Sequence, residues 1–232
     1  RFETSAKVAK ELDAKKVAVV NGLNGRLADA LSVAAPAAEN NMAILLTNGK
    51  DLGAVKDAAK DKEAVVVGGS AVVADSIKSD LKAERLGGAN RNETNAEVMK
   101  KFYGDKQVKS VYVAKDGAAQ ENQLVDALAA GPVAGKEGAP IVLAGSKLAD
   151  GQKKFLEGQG EVATVYEVGG GINTSTVKDI MTALGVKDVV DKAEVSSVKA
   201  TNLKEVVVTF GMKVDRDSAE DKTNYSINKE AT

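Results

Sequence analysis

Apolar positions along the chain form short continuous runs separated by stretches with helical spacing, and the pattern occurs twice. The chain opens on RFETSAKVAKEL (Arg1–Leu12), and RNETNAEVMKKF (Arg91–Phe102) repeats the phrase. Behind RFET and RNET, the apolar residues Val8, Ala9 and Leu12 correspond to Val98, Met99 and Phe102. Their i, i+1, i+4 spacing predicts one buried face of a helix. Thr94 followed by Glu97 reads as a capping box at the start of that helix. The first copy has Lys7 in place of the Glu, which predicts a weaker cap. Glu3 and Glu93 in the first turn also suit the positive end of the helix dipole.

The runs that follow match pairwise. KVAVVNG (Lys16–Gly22) pairs with SVYVAKDG (Ser110–Gly117), AILLTNG (Ala43–Gly49) with PIVLAGS (Pro140–Ser146), and EAVVVGGS (Glu63–Ser70) with TVYEVGGG (Thr164–Gly171). All six are short and rich in β-branched residues, and they end in or next to Gly, as buried strands do. Helical stretches lie between them. LADALSVAAPAA (Leu27–Ala38) pairs with LVDALAAGPVAG (Leu124–Gly135), and a longer loop around AAQENQ precedes the second. Pro36 and Pro132 are expected to end or kink these helices. VADSIKSDL and TSTVKDIMTAL follow the third strands, and ERLGG (Glu84–Gly88) predicts a short edge strand between the copies.

Continuous rather than alternating hydrophobicity means strands covered on both faces. With helical crossovers this predicts α/β modules in tandem, three-layered, with mostly parallel sheets. The tail breaks the pattern. Its KEVVVTF, charged loop and NYSI predict antiparallel β structure, in too few residues for a β-sandwich of about seven strands. The expected organisation is a first module over 1–90, incomplete at its N-terminus, a second over 91–190, and a β-rich tail over 191–232, read as a truncated β-domain.

Composition narrows the chemistry. The 232 residues are 44% hydrophobic, enough to bury a core, and contain no Cys, His or Trp. That leaves no thiolate nucleophile, disulfide, imidazole base or Cys/His zinc site. No cofactor, metal or catalytic residue is expected. Basic and acidic residues balance at 32 and 33, which argues against a nucleic-acid partner. No apolar run approaches the length needed to cross a bilayer.

The RLGGANRNETNAE junction, the LADALSVAAPAA helix followed by AILLT, and the VVVGG strand resemble the type 2 cell-wall-binding repeat. That family occurs in S-layer and other cell-wall proteins of clostridia and related Gram-positive bacteria. The resemblance covers about residues 1–185, and the tail resembles the start of an immunoglobulin-like domain. It implies Toprim-like modules, three of them around a pseudo-threefold axis, in a secreted protein of the cell wall or S-layer. It also implies non-covalent anchoring through an anionic secondary wall polysaccharide. Further implied partners are other S-layer or cell-wall proteins, and a third like module upstream or in trans. Nucleic acid and membrane are not among them. Two departures stand out: Asn92 replaces the family's Tyr or Phe, a position that Phe2 fills in the first copy, and two copies are present where three are usual.

Candidate ligand-binding residues follow from this. Arg1 and Arg91 hold the family's Arg position, where a guanidinium fork suits phosphate or carboxylate. The alternative is that each pairs with an acidic neighbour and fixes the module junction. Arg85 is a weaker candidate. Asp29 and Asp126 begin a helix at the carboxyl end of a parallel sheet, where open α/β sheets bind ligands; capping or an intermodule salt bridge is the other reading. Arg26 closes the Gly-rich turn NGLNGR (Asn21–Arg26). Such turns can cradle phosphate, but neither dinucleotide nor P-loop spacing occurs. Asp29 and Asp126 lie in different copies, and nothing in the sequence sets them at glycosidase spacing. Two alternatives to anchoring remain: an S-layer assembly module without glycan binding, and an α/β-fold enzyme, against which the missing His, Cys and phosphate loop argue.

Overall fold

The computed structural model describes residues 1–160, 162, 164–186, 195–202, 205–210 and 221. The chain divides into two units, Arg1–Lys187 and Asp188–Thr232. In the first unit the first copy runs α1 (Phe2–Glu11), β1 (Lys16–Asn21), α2 (Ala28–Ser32), α3 (Ala34–Glu39), β2 (Met42–Thr47), α4 (Lys56–Ala59), β3 (Glu63–Val67), α5 (Asp75–Leu81) and β4 (Glu84–Leu86). The second runs α6 (Arg91–Tyr103), β5 (Ser110–Lys115), α7 (Val125–Glu137), β6 (Ile141–Ala144), α8 (Asp150–Glu157), β7 (Thr164–Val168) and α9 (Thr174–Ala183). In the second unit β8 (Val195–Asn202) and β9 (Glu205–Phe210) form an antiparallel pair. The NYSI segment lies outside the described residues. No helix among the described residues is long and apolar enough to cross a membrane.

Both sheets of the first unit are parallel throughout, in the orders β2-β1-β3-β4 and β6-β5-β7. The first strand of each copy sits inside its sheet. Val17–Val20 and Val111–Ala114 are therefore buried on both faces, which is why they read as unbroken apolar runs. ERLGG supplies β4 at the sheet edge, as expected.

The outer strands β2 and β6 are guarded by side chains rather than by further strands. Ser5 of α1 accepts a hydrogen bond from Leu46 N (3.0 Å) through its hydroxyl. At the matching place in α6, the fully buried Asn95 donates to Ile141 O (2.9 Å) and accepts from Leu143 N (3.1 Å). Asn92 donates to Leu143 O (2.7 Å), and Gln152 donates to Asn95 Oδ1 (2.8 Å). Unpaired edge groups invite misassociation, and these amides satisfy them from the helix.

Three local expectations change. The cap of α6 is Asn90, whose Oδ1 accepts from Asn92 N and Glu93 N, both at 3.0 Å. Thr94 lies a turn inside the helix and accepts from Gly88 N (3.1 Å), so no capping box forms there. Pro36 breaks its helical segment, as expected, but Pro132 does not. Pro36 is the third residue of α3, where a helix needs no N–H partner, and the break falls at Val33, next to the carbonyl its ring would strike. Pro132 sits inside α7 on an exposed face, where water can take the carbonyl it leaves free. Finally, Val98 is buried and Phe102 half-buried, but their counterparts Val8 and Leu12 are 51% and 47% exposed. Helix α6 packs on α2 of the other copy, whereas α1 has no such neighbour among the described residues.

The copies join chiefly where α3 crosses α7. A Cβ on Gly131 would lie 2.9 Å from Ala34 Cβ, and one on Gly135 would lie 2.6 Å from both Ala35 O and Ala38 Cβ. One core therefore runs through both copies, from Ala18 and Val33 to Tyr112 and Ala134. The ion pairs Lys106–Glu39 (2.6 Å) and Lys101–Glu84 (2.5 Å) cross the same boundary at its partly exposed rim, where each adds at most about 1 kcal/mol. Replacing Gly135 by Leu gains about 1 kcal/mol of helix propensity, but the new side chain must displace backbone. The expected net loss is about 1–3 kcal/mol, read as a lower urea midpoint than that of the unaltered chain.

Candidate functional site

In a parallel sheet ordered β2-β1-β3, the chain leaves β1 and β3 towards opposite sides, opening a crevice at their carboxyl ends. Here the crevice is a cavity of about 290 Å³ whose lining includes Gly25, Arg26, Asp29, Gly69, Asn90 and Arg91. It is composite. The first copy supplies the strand ends, and the second supplies the start of α6.

Asp29 lies on its wall in the first turn of α2, 7% exposed. It makes no hydrogen bond or ion pair within the described residues, so it neither caps a helix nor bridges the modules. It can lie so deep because Gly68 faces it. Gly68 has φ +121°, and a Cβ there would come within 2.8 Å of Asp29 Oδ2. Burial pushes its carboxyl up to about 6, while the Arg91 and Arg26 charges pull the other way. Arg91 is fixed by donating from Nη1 to Asp116 O (2.9 Å). Arg26 is exposed, and its guanidinium makes no hydrogen bond or ion pair among the described residues. The loop carrying Arg26 is held from the second copy, where Glu121 Oε1 accepts from Gly25 N (2.6 Å) and Leu27 N (3.4 Å). Glu121 belongs to the AAQENQ insertion, and the length difference between the copies was its only trace in the sequence.

The other three candidates lie elsewhere. Arg1 donates from Nη1 to Gly22 O (2.5 Å), the first-copy counterpart of the Arg91 contact. Each leading arginine thus clamps the carbonyl just past its own copy's first strand. Arg85 donates to Gly68 O (2.6 Å) and pairs with Asp75 (2.9 Å), so its fork is used within the first copy. Asp126 repeats the placement of Asp29, its carboxylate pressed on Gly169 (φ +85°) with no hydrogen bond or ion pair among the described residues. Among the described residues no three Asp or Glu side chains gather as a metal site.

Two parallel α/β modules in tandem, joined so that their junction makes a polar cleft, describe a repeat-built protein rather than a single-module domain. The chain belongs to the cell wall binding domain 2 (CWB2) family, whose pattern matches residues 1–78 and 85–194. Among solved structures it is similar to Cwp8 from Clostridium difficile, with 33% identity over 81% of this chain and 33% of that one, and a TM-score of 0.72. It is also similar to Cwp6 from Clostridium difficile, with 31% identity, 79% and 30% coverage, and a TM-score of 0.68. The chain thus spans about a third of the length of these two proteins. No curated protein matches it.

The buried carboxyl makes stability depend on pH in a defined sense. Unfolded, Asp29 loses its proton near 3.8; folded, it does so near 6. Between those values the folded chain holds the extra proton, so stability falls as pH rises through the window and stays lower above it. Asp29→Asn is expected to stabilise the chain by on the order of 2 kcal/mol at about pH 8. The gain should vanish at about pH 4, which urea unfolding at the two values tests.

Proposed function

We propose that the chain anchors a surface protein to the Gram-positive cell wall, holding an anionic secondary wall polysaccharide in the cleft between its modules. The observation that carries this is Asp29. Buried polar groups are nearly always hydrogen-bonded, and a carboxylate left without a donor in a cleft edged by two arginines suits a ligand with both hydroxyl and anionic groups. The arginines take the charge, and Asp29 accepts from sugar hydroxyls. The role is binding without turnover, in a secreted protein of the wall or S-layer, by modules 1–90 and 91–190 with a separate tail over 191–232.

The surfaces support a third like module, upstream or in trans. On α7, Val125 and Leu128 are each 61% exposed and Val133 51%. Their first-copy counterparts Ala28, Leu31 and Pro36 are buried in the joined first unit. Helix α1 in turn exposes Val8 and Leu12, whose counterparts on α6 are covered. The two open faces are the two halves of the one junction that the chain does form. Asp126 and Arg1 are likewise the unmatched halves of the cleft that pairs Asp29 with Arg91. A third module offering both faces would complete two further clefts, and several weak sites on one repeating polymer bind tightly together.

Sedimentation with purified walls tests the reading. The chain should pellet with intact walls, less so as salt rises, and stay in solution once the secondary polymer has been stripped. Arg26→Ala, which removes no hydrogen bond or ion pair among the described residues, should weaken binding about tenfold, the size of one charge-assisted contact. Equal binding to stripped walls would overturn the polysaccharide assignment.

A further inference from the structure

The two copies differ sharply at the carboxyl ends of their central strands. In the first copy this place is filled. Asn21 donates to Val72 O (2.8 Å), Gly49 packs so closely that a Cβ would lie 2.3 Å from the Asn21 amide, and the Phe2 ring lies against Gly22. In the second copy the positions of Phe2, Asn21, Gly22 and Gly49 are taken by Asn92, Lys115, Asp116 and Ser146. All four line a polar cavity of about 500 Å³, within the range of small-molecule sites, about 300–1,000 Å³.

The groups there are unsatisfied in a particular way. Asp116 is only 7% exposed; its Oδ1 accepts from Ala118 N (2.9 Å), and its Oδ2 has no hydrogen bond. Gly145 leaves room for that oxygen, since a Cβ would lie 2.8 Å from it. Asn92 spends its amide nitrogen on Leu143 O, and its oxygen is unpaired. Lys115, half-buried beside Gly171, and Lys147 on the rim have no hydrogen bond or ion pair among the described residues. Two cations against one carboxylate leave one surplus positive charge, beside acceptors that open on the cavity and take no donor from the chain.

We infer that this cavity, present in the second copy and filled in the first, is a subsite for one sugar unit carrying a single negative charge, a carboxylate or a phosphate. The lysines meet the charge, and Asp116 Oδ2 and Asn92 Oδ1 accept from its hydroxyls. The saccharide class rests on the anchoring reading, but the subsite shares only Asn90 with the junction cleft, so the two can fail separately.

The test is amide NMR of the whole chain titrated with polysaccharide released from Gram-positive walls. Shifts at Ala118, Ser146 and Lys147 report the subsite, and shifts at Gly25, Leu27 and Gly69 report the junction. The expected result is both sets, with the subsite set lost or weakened at least tenfold in Lys115→Ala/Lys147→Ala and in Asn92→Phe, which restores the first copy's filler. The double lysine variant removes no hydrogen bond or ion pair among the described residues, so it keeps the test clear should Asn92→Phe misfold. Shifts at the junction alone, or subsite shifts unchanged by the lysine variant, would overturn the inference and leave the anchoring reading standing. Subsite shifts alone would sustain the inference and count against the junction cleft, and no shifts at all would overturn both. Capping the polymer's carboxylates as amides separates the charge sources: loss of the subsite shifts assigns a uronate, retention a phosphate, and either sustains the subsite.

Discussion

The arrangement depends on how closely α3 and α7 approach. Glycine inside a helix costs about 1 kcal/mol relative to alanine, and α7 carries two, Gly131 and Gly135, on the face that meets Ala34, Ala35 and Ala38. Nothing larger fits there. At this separation the two sheets share one apolar core, and the start of α6 is carried over the strand ends of the first copy. Asp29 and Arg91 then line one cavity, and Glu121 reaches across to the Gly25 turn. A looser contact would leave two modules with the same internal folds and no cleft between them.

Within each copy the same constraint recurs in different side chains. The helix opening each module lies beside the open edge of an outer strand, and one of its polar residues must answer the strand's backbone. Ser5 does this with one hydroxyl, and Asn95 with an amide that both donates and accepts and is itself braced by Gln152. The leading arginine is conserved in role between the copies too, clamping Gly22 O in one and Asp116 O in the other. These shared contacts define the frame, and the positions around them are free to differ.

What the sequence made legible follows from this division. The strands were visible because parallel strands buried on both faces need continuous apolar runs, and the repeat was visible because the frame residues recur. Packing between copies was not. Val8 and Val98 look alike in sequence, and only the presence of α2 against α6 separates the buried one from the exposed one. Thr94 looked like a cap because its spacing to Glu97 fits a capping box, yet Asn90 four residues earlier supplies the better-placed acceptor. At the site, Asp29 and Arg26 were recognisable from their place after β1. Their meeting with Arg91 was not, since it depends on the module junction, and the use of Arg85 by Asp75 depends on a side-chain contact that no spacing announces.

Around the α3–α7 contact, where counterpart helices meet, the junction is heterologous: α2 of one module meets α6 of the next. Such a contact either closes into a ring or continues as an open array, and in either case it uses different surfaces at its two ends. That asymmetry explains why the two described modules leave one apolar face open on α7 and a different one on α1, and why Asp126 and Arg1 have no counterparts facing them among the described residues. On the anchoring reading, ligand sites are then counted by junctions rather than by modules. Two modules make one composite cleft, while three closed on themselves make three. Covering the open faces and creating further clefts are thus the same event, and hydrophobic burial between modules becomes a source of avidity for the polymer. If the cavity specific to the second copy is the subsite inferred above, it adds what a ring of identical modules could not, a site that differs from one module to the next and so distinguishes the order of sugars along a bound polymer.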